Sequence, residues 1–180
     1  MGKLGYACIN LTLQNQKPKI CTSRTIRKEG FNRLGLSACS EKAYQNIQDL
    51  YKIVRWNTDM GIGFYRMSSD IVPWASEYKL EQLPHFPGIK AELEKIGKHV
   101  AENNQRLTYH PGPYDVLSSP RMEVTKRTII DLEHHSEMMD LIGLSATPYN
   151  KINIHIGGVY GDRKESAKRF CQHFKMLSDN

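Results

Sequence analysis

Two of the seven histidines in this 180-residue sequence, His110 and His155, share a setting that the other five lack. Each closes a short β-like run and is followed by a glycine within two residues, Gly112 and Gly157. Imidazole is the commonest protein ligand for zinc and suits manganese and iron as well. Two parallel strands ending side by side would aim both rings at one cavity; the competing reading is that each ring satisfies a backbone carbonyl at its strand end. Asp70 closes an earlier run and would add a hard carboxylate oxygen to the same rim, or else cap the turn before Pro73. His85, His99, His134, His135 and His173 fall in a loop or on helices, where surface or partly packed positions are expected. His134 and His135 are adjacent, so on a helix they cannot face one ligand.

Phosphate-binding groups form a second set. The stretch from Gly157 to Lys164 joins a strand to a helix. Its glycines, Gly157, Gly158 and Gly161, allow close backbone approach, and a helix N-terminus offers free N–H groups to an anion. It matches neither G-x-x-x-x-G-K-[ST] nor G-x-G-x-x-G, which argues against a nucleoside triphosphate or dinucleotide; a tight strand-to-helix connection is the alternative. An expected basic loop over residues 13–36 holds Lys17, Lys19, Arg24, Arg27, Lys28 and Arg33 with Glu29 as its one acid, a pattern that suits phosphates or plain solvation. Tyr6, Trp74, Tyr114 and Tyr160 sit at strand ends, placed to stack on or wedge beside bases or to pack the rim.

The elements that must position these groups recur along the chain as strand, loop, amphipathic helix. Strands are expected over residues 3–9, 62–67, 106–110 and 151–156. Helices are expected over 41–57 with Ser40 as N-cap, 88–102, 121–141 and 165–176. The first helix aligns Ala43, Ile47, Leu50 and Val54; the second aligns Ile89, Leu93, Ile96 and Val100; the third aligns Val124, Thr128, Leu132, Met139 and Ile142. Such units imply parallel strands with right-handed crossovers, hence an α/β fold whose functional groups gather at the carboxyl ends of the strands.

Composition narrows the classes. At 39% hydrophobic and 24% charged residues the chain is too apolar for disorder, and it holds no run of roughly 20 apolar residues that would span a membrane. A net charge of +6 favours a polyanionic partner. Cys8, Cys21, Cys39 and Cys171 show no C-x-x-C pair and read as reduced, packed thiols, with Cys8 in the core rather than a nucleophile. With no apolar leader ahead of the first strand, an intracellular protein is expected.

The segments from Gly5 to Leu13, Ser23 to Arg27, Asn46 to Leu50, Arg55 to Asn57, Tyr65 to Ser76, Tyr109 to Tyr114 and His155 to Gly161 together resemble the UV damage endonuclease family, in family order and over nearly the whole chain. The resemblance implies a TIM barrel, divalent metal ions at the carboxyl-end rim (manganese first, magnesium or zinc as alternatives), and incision of double-stranded DNA 5′ to UV photoproducts during repair. By that resemblance His110 and His155 are metal ligands, with Asp70 standing where some members have histidine. Tyr6 and Asn10 match residues that approach the lesion or its phosphates, and the basic loop, the glycine turn and the strand-end aromatics add Arg24, Arg27, Gly157, Gly158 and Tyr160 as expected DNA contacts. Tyr114 is a probing residue, preceded by Pro113 where some members carry glutamine.

A whole barrel needs about 250 residues, so residues 1–180 are expected to form the N-terminal part of one TIM-barrel domain, about four of eight units. Such a partial barrel has open edges that invite self-association. Two further functions stay open: a non-catalytic DNA-binding module, and a metal-dependent sugar isomerase-like enzyme.

Overall fold

Period-two alternation of large apolar residues with polar ones builds three short parallel strands, β1 (Gly5–Ala7), β2 (Phe64–Ser68) and β3 (Arg106–His110), lying in the order β1-β2-β3. The computed structural model describes residues 2–178. Around the sheet run α1 (Leu11–Gln14), α2 (Lys28–Asp59), α3 (Phe86–Glu102), α4 (Met122–Ile142) and α5 (Arg163–Phe174). The register pairs Tyr6 with Tyr65 and Leu107, Ala7 with Arg66 and Thr108, and Ser68 with His110.

Because side chains alternate across a strand, one face of the sheet carries Tyr65, Met67, Leu107 and Tyr109, all fully buried under the helices. The opposite face carries Phe64, Arg66, Arg106, Thr108 and His110. The expected stripes of α2 and α3 form the core: Ala43, Ile47, Leu50 and Val54 meet Ile89, Leu93, Ile96 and Val100. On α4, Thr128, Leu132, Met139 and Ile142 are buried and Val124 is half-buried. α3 also approaches the end of α4 so closely that a Cβ on Gly97 would lie 1.7 Å from the Ile142 carbonyl oxygen.

Several expectations need correction. The basic loop is shorter than expected, since Lys28 and Arg33 lie on α2, which begins at Lys28 and is interrupted at Gly35, where φ is +60°. Ser40 is therefore no N-cap; buried inside the helix, its Oγ accepts from the His85 backbone N–H at 2.8 Å. The fourth strand is reduced to isolated parallel bridges, Tyr109 with Ile152 and Val116 with His155. Cys171 is exposed and Cys8 is half-buried at the strand end, so neither belongs to the core. No helix among the described residues is long and apolar enough to cross a membrane.

His134 and His135 are also corrected: both are buried on α4. The His135 ring meets Tyr109 edge-on at 4.2 Å and its Nδ1 bonds the Asp131 carbonyl. Burial pushes His134 down to about 3 and His135 down to about 4. Both are neutral in the fold, whereas imidazoles of the unfolded chain titrate near 6.5. The unfolded state then binds more protons below that value, so stability from these residues is full above about pH 6.5 and is lost as pH falls toward 4. Urea unfolding between pH 7 and 5 should show stability falling by up to about 1.4 kcal/mol per pH unit per histidine. His134→Leu should flatten that slope; an unchanged slope would contradict the account.

A single substitution at Gly97 separates close approach from helix propensity. Ala is the better helix former, yet Gly97→Ala should lower stability by about 2 kcal/mol because α3 and α4 must part. A gain in thermal stability would show that the helices do not meet there.

Candidate metal and nucleic-acid site

The carboxyl ends of the strands open onto one rim. Register alone sets His110 beside Ser68 there. His155 arrives differently: the Tyr109 N–H donates to the Lys151 carbonyl at 3.1 Å, the Asn153 N–H donates to the Tyr109 carbonyl at 3.2 Å, and Val116 then bridges to His155. Gly157 holds the segment close, since a Cβ there would lie 2.5 Å from Ser118 Oγ and 2.9 Å from Val116 Cβ, and its φ is +92°. The rings of His110 and His155 consequently lie 5.3 Å apart, tilted by 48°. His110 Nδ1 and His155 Nε2 are both buried without a hydrogen-bond partner. Burial first, then the Arg66 guanidinium and His155, lower the His110 pKa and keep its ring neutral.

Buried ring nitrogens without partners are costly, and a neutral imidazole with a free nitrogen is what a divalent cation takes as ligand. The pair thus fits a metal. It is an incomplete set: among the described residues no group of three or more His, Cys, Asp or Glu is arranged to hold an ion. Asp70 lies exposed on a short 3₁₀ turn (Ser69–Ile71), where its backbone N–H reaches Ser68 Oγ at 3.4 Å.

Sequence reading missed two carboxyl groups near the rim. These are Asp115, beside the Val116 bridge, and Asp131, on α4. Both are raised, first by burial, and the neighbouring carboxylate of Asp115 helps push Asp131 up to about 7. The Asp131 shift opposes that of the buried histidines, because folding retains its proton between about pH 4 and 7. Asp115 directly follows the exposed Tyr114 and could have been found from its loop; nothing in the spacing links it to Asp131.

The remaining rim residues divide by how free they are. Tyr6 donates to Asn57 Oδ1 at 2.8 Å and accepts from Asn10 Nδ2 at 2.8 Å, while Asn10 Oδ1 caps α1 by accepting from Leu13 N–H at 2.9 Å. Arg24 is tied to Asp49 at 2.6 Å and to the Cys21 and Lys19 carbonyls. Its charge is therefore largely spent on holding its own loop. Trp74, stacked on Phe31 and bonded to the Ile26 carbonyl, is rim packing. Arg27, Gly158 and Tyr160 are exposed, and Tyr114 is the freest at 88% exposure. Asp162 accepts from the Lys164 and Glu165 N–H groups, so the N-terminus of α5 is already capped by a carboxylate. A 210 Å³ pocket beside the rim is lined by Cys8, Asn10, Cys21, Thr22, Ser68 and Asp70.

Parallel strand-helix units with functional groups at their carboxyl ends define a TIM-barrel-type α/β protein, here a partial barrel. Residues 2–180 match the family model described as UV-endonuclease UvdE, and the chain belongs to that family. It is 39% identical over 182 residues to a UV-damage endonuclease of Schizosaccharomyces pombe, covering 99% of this chain and 30% of the relative. It is 36% identical over 178 residues to a UV DNA damage endonuclease of Clostridium perfringens, covering 99% and 40%. The crystal structure of SacUVDE superposes with a TM-score of 0.84 at 30% identity, over 98% of this chain and 56% of that one. The chain thus spans about half or less of the length of these relatives.

The wedge at Gly157 generates a direct check. Gly157→Ala should force residues 155–157 off the 116–118 loop, costing about 1–3 kcal/mol and shifting the His155 ring resonances. Unchanged stability and spectra would mean that Gly157 does not set the position of His155.

Proposed function

We propose that this chain supplies the two-histidine side of the metal centre, and part of the lesion-facing rim, of a DNA repair endonuclease that cuts 5′ to UV photoproducts. The observation that carries the reading is the pair of partnerless, buried ring nitrogens of His110 and His155 at the rim, in a chain of the UvdE family. A divalent cation held there, manganese first, would polarise a phosphodiester and lower the pKa of a bound water. Among the described residues no third ligand completes the set, and exposed Asp70 is the candidate that the family pattern offers.

The chain's own groups divide the remaining work. His110 stays neutral and so does not repel a cation. Arg66, in register with Thr108 beside His110, offers a guanidinium to a phosphate oxygen. Tyr114 projects from the loop after β3, free to enter a duplex where a photoproduct has weakened stacking and lowered the cost of bending. At the end of β1, Tyr6 and Asn10 form an ordered hydroxyl–amide pair. Arg27 and Tyr160 border the rim as a phosphate contact and a stacking face.

The shortfall of ligands supports a second reading, a module that binds DNA without cutting it. Nicking of UV-irradiated supercoiled plasmid with Mn²⁺ should fall at least about tenfold in His110→Ala and in His155→Ala. Equal nicking by all three proteins contradicts the metal assignment. Salt-sensitive DNA binding without nicking by any of them establishes the binding module instead.

A further inference from the structure

Charge is divided along α4. Its basic residues, Lys126 and Arg127, lie in the first half, whereas Glu133, Glu137 and Asp140 follow in the second, and the last turn holds no basic side chain. The negative end of the helix macrodipole falls there, so that end favours a cation and disfavours carboxylates. Among the described residues neither Glu137 nor Asp140 is in an ion pair. Burial first, then the carboxylates of Glu81 and Asp140, push the Glu137 carboxyl up, and Lys79 does not cancel them.

These two acids border a cleft of about 420 Å³ between α4 and residues 75–79. Its walls also include Tyr78, Ile129 and Ile130, the last 47% exposed. His134 lines the same cleft at only 7% exposure, and its Nε2 is buried without a hydrogen-bond partner. An unpartnered buried nitrogen is costly. Burial keeps the ring neutral, so it can accept a hydrogen bond and does not repel a cation. Glu133, the third acid of the cleft, is already engaged by the Ser178 N–H and hydroxyl.

We infer that this cleft binds a linear polyamine, an aliphatic chain carrying ammonium groups, with Glu137 and Asp140 as its counter-charges and His134 as a hydrogen-bond acceptor. Residues three apart share one helix face, and Glu137 and Asp140 stand about 5 Å apart along the axis. Two ammonium groups joined by three or four methylenes match that step. The methylenes cover Ile129 and Ile130, and the aromatic ring of Tyr78 adds attraction for an ammonium. A bare metal ion suits the cleft less well: it makes no use of apolar walls, and among the described residues no group of three or more His, Cys, Asp or Glu is arranged to hold one. A lysine side chain brings one ammonium to two carboxylates. The inference stands apart from the nuclease reading, because the cleft uses none of the rim residues and its ligand binds without Mn²⁺ or DNA.

Spermidine is the probe, titrated into the metal-free chain at low ionic strength. Calorimetry should show saturable one-to-one binding, and nuclear magnetic resonance should show the His134 ring and Ile130 methyl signals moving together. Glu137→Gln with Asp140→Asn changes two exposed positions, so circular dichroism should stay the same while binding weakens at least about tenfold. Binding that does not saturate, the same signals moving equally with Mg²⁺, or a double variant that binds as tightly as the unaltered chain would each overturn the proposal.

Discussion

The geometry of the rim depends on how residues 151–157 lie against β3 and the loop that follows it. His110 would stand at the end of its strand in any parallel sheet of this register, but His155 belongs to no continuous strand. Two backbone hydrogen bonds to Tyr109, one bridge to Val116 and the missing side chain of Gly157 set its ring 5.3 Å from that of His110. Such a contact is short and local, so it can be disturbed without unfolding the α2–α3 core. The chemistry of the site is therefore held by fewer interactions than the fold that carries it.

Charge is arranged in two layers around that contact. At the rim, burial and Arg66 keep His110 neutral, which favours a cation ligand over an acid. Beside it, burial and mutual proximity raise both Asp115 and Asp131, and Asp131 presents its backbone carbonyl to His135, whose ring packs on Tyr109. Tyr109 in turn carries the hydrogen bonds that position residues 151–153. The buried titratable groups on α4 thus connect to the rim through one tyrosine, with opposite pH dependences partly cancelling.

Much of this was legible in the sequence where periodicity was strong. The stripes of α2 and α3 and the limits of β3 followed from apolar spacing alone, and the histidine pair followed from strand ends with nearby glycines. Ser40 misled because a residue that caps helices also bonds a neighbouring turn, and local sequence cannot show that His85 would be there. His134 and His135 misled for the converse reason: histidine is polar on average, but an edge-on contact with Tyr109 and a carbonyl partner make burial tolerable. Asp115 and Asp131 are 16 positions apart and meet only through the fold. The fourth strand read as a full one because β propensity does not register how few ladder contacts the segment finds, here isolated bridges at Ile152 and His155. The family resemblance implies Tyr6 and Asn10 as DNA contacts, and the basic loop suggests Arg24; all three are engaged in internal hydrogen bonds, and Tyr114, Arg27 and Tyr160 are the freer groups.

The central claim is that His110 and His155 are the metal-binding imidazoles and that the other histidines are not. Manganese is paramagnetic, so nuclear magnetic resonance of histidine-labelled protein reads the claim directly. Substoichiometric Mn²⁺ should broaden the ring signals of His110 and His155 first, while those of His85, His99 and His173 persist. Uniform broadening of all histidines, or none at the rim pair, would contradict the account.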